Sequence, residues 1–430
     1  MKALVIGAAL SGVACAKLLN SKGYEVYLSD QKEVKEIKEL EALGIVVDVG
    51  HSDYLKNIDY DLIVKNPGIP YTAPFVKYFS DKGYFLYNEI EIALKYAKNY
   101  RYAAITGTNG KTTTSSLLGA FLKTLNPLNV AGGNIGLPIS EIVLKYPEKP
   151  LTLAIEIGAF QALGLKDFHP LVSVCTNLTP DHLNYFESLE DYYASKMRIY
   201  QNQSGDDWFL LNIDDEEVVR HAKNIKCQII TYSLHKKADL YLEDEKVKLF
   251  DETLFTLDDL KLPGKHNLYN AMVASAMAKK LGVKTKDIQK VLRDFKGVKH
   301  RLEFVKEIDG VKYFNDSKGT NPDATINALK AFKNIILLAG GFDKHTGFEE
   351  VKPYLSNVKA MCLFGETKYE IQKIYPEASI FETMEEALNH AHAIAKKGDV
   401  VLLSPMCASW DQFPNFEKRG EAFVELVRKL

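Results

Sequence analysis

The sequence predicts an α/β protein of three domains, each built on a mostly parallel sheet. Three observations carry this. Apolar, strand-sized runs recur along the chain and end in small or polar residues, the pattern of parallel strands covered on both faces. Helix-like stretches separate them, giving the strand–helix–strand alternation of doubly wound sheets. Two of the strands run into glycine-punctuated turns, at residues 7–12 and 107–110, and such turns are where open α/β sheets take ligands. At 430 residues the chain also exceeds what a single core supports.

The first domain is expected over residues 1–95. KALVIG reads as a buried strand, SGVACAKLLNSKG as a helix and YEVYLSD as a second strand ending at Asp30. This is a Rossmann-like opening, and DLIVKNPGIP and YFLYNEIEIALKYA continue the alternation. The dinucleotide fingerprint needs a central glycine, yet the chain has Gly7, Ala9 and Gly12. A methyl at the middle position argues against tight NAD or FAD binding, because the backbone approaches pyrophosphate there. Asp30 could accept hydrogen bonds from a ribose or a base. A uridine-type nucleotide fits as well as a redox cofactor, and a half-domain that binds nothing stays open.

The second domain is expected over residues 96–297. The strand YAAITG leads into the turn TGTNGKTTT, whose glycines stand one residue closer than in the usual phosphate loop. Gly107 and Gly110 free the backbone of Thr108 and Asn109 to wrap donors around phosphate oxygens. Lys111 supplies charge at a β/γ-phosphate, Thr112 a hydroxyl for Mg²⁺, and Thr113 continues into a helix whose amino end favours anions. This is a P-loop-type, mononucleotide-binding α/β arrangement; the plainer reading is a tight turn with a surface lysine. Glu156 closes the apolar strand LTLAIEI, a costly place for an unpaired carboxylate. Asp181-His182 follows LVSVCTN and a proline. Thr112, Glu156 and His182 could therefore converge on a metal, although Mg²⁺ prefers oxygen, which leaves His182 as ligand or bystander.

The third domain is expected over residues 298–430, where NIILLAGG, AMCLFGE and DVVLLSPMCASWDQF read as parallel strands of a further Rossmann-like fold. Composition adds exclusions. A net charge of -2 gives no electrostatic case for nucleic acid or an anionic membrane, and no apolar run approaches a membrane span. Five cysteines, scattered singly in apolar segments, fit reduced thiols in the cytoplasm. A monomer is the expectation.

Motifs spread over all three parts resemble the Mur ligase family, and within it the members that add D-glutamate. They are GTNGKTTT (107–114), GGNIG (132–136), NLTPDHL (177–183), YYASKMRIY (192–200), GKHNLYNAMVA (264–274), KHRLE (299–303), NDSKGTNPDAT (315–325) and LLSPMCASWDQFPNFEKRGEAF (402–423). The resemblance implies an ATP-dependent ligase that joins D-glutamate to UDP-N-acetylmuramoyl-L-alanine through an acyl phosphate, a step of peptidoglycan precursor synthesis. Lys111 would hold the β/γ-phosphates, and Thr112, Glu156 and His182 would position Mg²⁺, two ions being implied. Lys196, which unaided reads as a solvated mid-helix lysine, matches a family lysine that CO₂ converts to a carbamate. Asn267, Asn270, Arg301 and Asp316 match contacts to ATP, and Arg301 suits bidentate recognition of phosphate oxygens.

For the other two substrates the resemblance is likewise residue by residue. Leu10, Ser11, Asp30, Gln31 and Lys32, with Asn66, Pro67 and Gly68, match contacts to the UDP part, and Asn134 a contact to the muramoyl end. Lys318, Thr320, Lys344, Ser409 and Phe416 match the D-glutamate pocket. The chain departs from the family pattern at Gly158-Ala159, where two serines are usual, at Asn184 for an aspartate, and at Gly319 for an alanine. The resemblance thus implies retuned binding of the nucleotide-sugar. The alternative is another amide ligase of this kind, or a folylpolyglutamate synthase-like one, with a different acceptor or amino acid; residues 1–95 count against the latter.

Overall fold

In the computed structural model residues 1–430 are described except Lys35, Leu183, Asn184, Pro263 and residues 344–346. The chain divides into two compact units. One comprises Met1–Leu178, Ser188–Leu257 and Met272–Val291; the other comprises Thr179–Glu187, Asp258–Ala271 and Leu292–Leu430.

The first unit holds two sheets. Strands β1 (Lys2–Ile6), β2 (Glu25–Asp30), β3 (Val46–Val49), β4 (Leu62–Lys65) and β5 (Leu86–Tyr87) pair in parallel in the order 3-2-1-4-5. Side chains alternate between the faces of a strand, so Ala3 and Val5 of β1 enter one apolar cluster and Leu4 and Ile6 another. Both faces are buried, and the run is therefore continuously apolar. The helix Leu10–Ser21 begins so close to the β1 turn that a Cβ on Gly12 would lie 1.9 Å from the Gly7 carbonyl oxygen.

The second sheet contains β6 (Arg101–Thr106), β7 (Val130–Gly133), β8 (Thr152–Glu156), β9 (Val172–Cys175), β10 (Trp208–Asn212), β11 (Gln228–Ser233), β12 (Leu240–Glu243), β13 (Lys246–Leu249) and β14 (Glu252–Thr256), in the order 14-13-12-11-10-9-6-8-7. Its central part is parallel as expected. The β12–β14 meander is antiparallel and extends one edge. Because β8, β6 and β9 are neighbours, their carboxyl ends bring Glu156, the Gly107 turn and Thr176-Asn177 together.

The second unit holds β15 (Glu303–Ile308), β16 (Val311–Asn315), β17 (Ile335–Ala339), β18 (Val358–Leu363), β19 (Ser379–Ile380) and β20 (Val400–Leu403), in the order 15-16-20-17-18-19. Only the β15–β16 pair is antiparallel. Ile335, Leu337 and Ala339 face one cluster, Ile336 and Leu338 the other. Among the described residues no helix is long and apolar enough to cross a membrane, and all five cysteines are free thiols.

Candidate active site

The turn after β6 is shaped by its glycines. Gly107 has φ 131°, and a Cβ there would fall 2.0 Å from Thr176 Oγ1. The turn is laced to the end of β9: the Thr108 amide donates to the Asn177 carbonyl (2.9 Å), the Asn109 amide to Asn177 Oδ1 (2.8 Å), and Thr176 Oγ1 to the Asn109 carbonyl (2.6 Å). Gly110, left-handed at φ 83°, opens the helix Lys111–Leu122. The amino end of that helix, where backbone amides point outward, suits an anion. Lys111 folds over the turn and its Nζ donates to the carbonyls of Gly107 (2.8 Å) and Thr108 (2.7 Å). This is no surface lysine on a bare turn.

Thr112 and Thr113 are buried in the same helix. Glu156, 1% exposed at the end of β8, accepts from Asn134 Nδ2 at 2.8 Å and from Ser115 Oγ at 3.3 Å. Ser115 also donates to the Thr112 carbonyl. Both donors to Glu156 are neutral, and no ion pair among the described residues compensates its charge. A buried carboxylate in that state suits a cation, so Glu156 with the Thr112 hydroxyl fits a magnesium ion. No group of three His, Cys, Asp or Glu among the described residues is placed to hold a metal.

Lys196 corrects the reading of a solvated mid-helix lysine. It is the penultimate residue of the helix Leu189–Met197 and is 1% exposed. Its Nζ donates to the Gly107 carbonyl at 2.8 Å and lies 4.5 Å from the centre of the Tyr192 ring. Tyr192 in turn meets Thr108 Oγ1 through its hydroxyl at 3.3 Å. The structure therefore gathers Lys111, Thr112, Glu156, Asn134 and Lys196 around one turn.

At the carboxyl ends of β1, β2 and β4 lie the residues expected to meet a uridine nucleotide. Ser11 Oγ accepts from Asn66 Nδ2 (3.3 Å), and the Gly68 amide donates to Asn66 Oδ1 (3.0 Å). Asp30 accepts from the amides of Ala8 (2.7 Å) and Lys32 (2.9 Å). Leu10, Gln31 and Lys32 are exposed beside them. The strand order reverses between β1 and β4, and that crevice is where α/β sheets bind nucleotides.

In the second unit a cavity of about 1020 Å³ is lined by Asn267 and Arg301, by Phe295, Phe304, Phe314 and Phe332, and by Lys296 and Lys299. Asn270 Nδ2 donates to Asn267 Oδ1 at 3.2 Å and orients that amide. The Arg301 Nε is buried and has no hydrogen-bond partner among the described residues, an unsatisfied cationic donor that an anion would satisfy. Arg301 stands between His300 and Leu302, both at positive φ (63° and 42°), a strained turn of the sort kept at ligand sites. Asp316 is fully buried and accepts from Ser404 Oγ (2.8 Å) and the Leu302 amide (3.2 Å). Burial pushes its pKa up to about 6 against the opposing pull of Arg301. His182, at φ 57°, belongs to this unit, its ring 3.7 Å from Asp181. Asp181 is fixed by Asn321 Nδ2 at 3.0 Å.

Lys318 Nζ lies 5.1 Å from the centre of the Phe416 ring, and Thr320 follows with its amide on the Lys318 carbonyl. Ser409 is buried in the loop after β20. Lys344 and Asn184 lie outside the described residues. Behind these loops stands Arg419, fully buried, which sequence reasoning missed. It donates to Ser317 Oγ (3.0 Å) and to the carbonyls of Ser317 (2.9 Å), Cys407 (3.0 Å) and Ala408 (3.1 Å). It thereby ties the Lys318 loop to the Ser409 loop.

Three family models match this chain: the Mur ligase MurD-like N-terminal domain over residues 1–86, the Mur ligase middle domain over 105–278, and the Mur ligase glutamate ligase domain over 300–407. The UDP-N-acetylmuramoylalanine--D-glutamate ligase of Geobacillus sp. (strain WCH70) is 43% identical over 442 residues, covering 100% of this chain and 98% of its own. That of Ligilactobacillus salivarius (strain UCC118) is 41% identical over 446 residues, covering 100% and 96%. The chain belongs to the Mur ligase family. A solved Mur ligase, the UDP-N-acetylmuramate-alanine ligase MurC of Thermotoga maritima, shares the fold at a TM-score of 0.63 with 21% identity, covering 100% of this chain and 99% of that one.

Two departures from the Mur ligase pattern have structural consequences. Gly158 is the N-cap of the short helix Ala159–Ala162, and its amide donates to Gln161 Oε1 at 2.8 Å. It supplies no cap side chain, which a serine would. A Cβ on Gly319 would lie 2.6 Å from Asp316 Oδ2 and 2.9 Å from Ser404 Oγ, and both atoms are held in place by their mutual hydrogen bond. Gly319→Ala is therefore expected to destabilise this Mur ligase by about 1–3 kcal/mol, the usual cost of overpacking. A thermal unfolding curve superimposing on that of the parent would show that the loop has room for the methyl.

Proposed function

We propose that this Mur ligase joins D-glutamate to UDP-N-acetylmuramoyl-L-alanine with ATP, releasing ADP and phosphate in the cytoplasm. Two things support the specific reaction: end-to-end similarity to ligases named for it, and the gathering of Lys111, Thr112, Glu156 and Lys196 around the Gly107 turn. The second is the observation that carries the chemistry.

The reaction needs two anions brought together, the substrate's terminal carboxylate and the γ-phosphate of ATP, so positioning and charge neutralisation do most of the catalysis. The amides at the start of the helix Lys111–Leu122 cradle phosphate, and Lys111 turns its ammonium from the loop carbonyls to the β/γ-phosphates. Asn267, Asn270 and Asp316 hold the adenosine, with the phenylalanines of the cavity providing faces for the base, and Arg301 takes phosphate oxygens. Glu156 and Thr112, with His182 as the family resemblance implies, would hold Mg²⁺, which would supply charge neutralisation on the phosphates. Lys196, as a carbamate, would contribute anionic oxygens for a second ion. Lys318, Thr320, Lys344, Ser409 and Phe416 receive D-glutamate, whose amine attacks the acyl carbonyl and expels phosphate. Leu10, Ser11, Asp30, Gln31, Lys32, Asn66 and Gly68 hold the UDP, and Asn134 the muramoyl end. The work divides among domains at residues 1–95, 96–297 and 298–430.

The test is ADP release from ATP and UDP-N-acetylmuramoyl-L-alanine across a panel of amino acids. D-Glutamate alone is expected to support turnover. Release with L-alanine or a diamino acid, and none with D-glutamate, would overturn the assignment.

A further inference from the structure

One side chain at the carboxyl edge of the first sheet is built as carefully as Asp30 and has no role in the scheme above. His51 follows β3 by two residues and adopts φ 58°, a left-handed backbone that costs energy for a residue with a Cβ. Its ring stacks on the buried Phe75, with centroids 4.4 Å apart and planes 7° from parallel. Its Nδ1 lies 2.8 Å from Ser29 Oγ, and Ser29 Oγ donates to Asp48 Oδ2 at 2.7 Å. Ser29 and Asp48 face each other across the β2–β3 register, one step before Asp30 and Val49. The ring is thus fixed by backbone, stack and hydrogen bond at the edge where Asp30 lies.

The proton count assigns the tautomer. A hydroxyl carries one proton. Burial pushes Asp48 up, yet hydrogen bonds from Ser52 and Ser29 outweigh it and hold the carboxyl below its ordinary value, so Asp48 is an acceptor only. The Ser29 proton is therefore committed to Asp48, and His51 Nδ1–H must donate to Ser29 Oγ. Burial also lowers the His51 pKa against the pull of Asp30 and Asp48, which keeps the ring neutral. The other nitrogen, Nε2, then presents a lone pair, and no described residue hydrogen-bonds to it.

A fixed acceptor discriminates between pyrimidines. Uracil has a donor at N3–H, whereas cytosine presents a lone pair there, and Watson–Crick edges are read by such contacts. We propose that His51 Nε2 accepts the N3–H of the uracil ring and makes this residue a determinant of uridine over cytidine. The inference rests on the reading that this sheet edge takes the UDP part of the substrate.

Calorimetric titration of the full chain with UDP and with CDP tests it, using His51→Phe, which keeps the stack, and His51→Asn, which tolerates the left-handed backbone. The parent is expected to prefer UDP. Both variants should bind UDP about tenfold more weakly, the worth of roughly one hydrogen bond, and CDP no more weakly, so that the preference collapses. In turnover the KM for the UDP-sugar rises by the same factor while kcat holds. Folded variants that keep the UDP-to-CDP ratio of the parent would overturn the role of His51 and leave the site reading intact. A parent that binds no UDP would overturn both.

Discussion

Lys111→Ala is expected to abolish ATP-dependent turnover while leaving the fold unchanged. The ammonium lies over the Gly107 turn on two carbonyl oxygens of its own loop, so its removal takes away no apolar core volume. What it deletes is charge at the point where phosphoryl transfer concentrates negative charge. Loss of one preorganised donor of this kind costs about a hundredfold to a thousandfold in rate. Phosphate release measured on the purified variant should fall at least that far, with an unchanged melting temperature. Activity within about tenfold of the parent would show that the turn does not hold the transferred phosphate.

Lys196→Ala is expected to be nearly inactive and to recover in part when formate or acetate is supplied. The side chain is fully enclosed between the Gly107 carbonyl and the Tyr192 ring. Truncation leaves a cavity beside the turn that a small carboxylate can enter. If Lys196 acts as a carbamate, such an acid would stand in for its anionic oxygens. Lys196→Glu should rescue weakly, because misplacement near 1 Å can cost about a hundredfold. Lys196→Arg should stay inactive, since a guanidinium keeps the cation and cannot take up CO₂. If Lys196→Arg retained activity and no acid rescued Lys196→Ala, the residue would act as an ammonium and the carbamate would be excluded.

The sheets were legible because buried parallel strands are continuous apolar runs, as Lys2–Ile6 and Ile335–Ala339 illustrate. The β12–β14 meander was not, since strands such as KVKL are half solvated and carry no such run. The Gly107 turn was legible because φ 131° and the Thr176 contact demand glycine. Ser115 was hidden among five consecutive hydroxyl residues, where only the fold reveals which one reaches Glu156. Lys196 read unaided as solvated, and Arg419 was passed over, for one reason: a charged residue on a helix carries no local sign of burial. The Gly107 carbonyl receives Lys196, and those of Ser317, Cys407 and Ala408 receive Arg419, partners distant in sequence that no local pattern records. His51 likewise gains meaning only from Ser29, Asp48 and Phe75 around it.

The central claim is that the substrate's carboxylate is activated by phosphoryl transfer at the Gly107 turn and captured by D-glutamate. UDP-N-acetylmuramoyl-L-alanine labelled with heavy oxygen in its terminal carboxylate tests this directly, by mass spectrometry of the phosphate released with ATP and D-glutamate. An acyl phosphate requires one labelled oxygen to leave with each phosphate, and that is the expected result. Unlabelled phosphate, with the heavy oxygen displaced on amide formation found in water instead, would contradict the account.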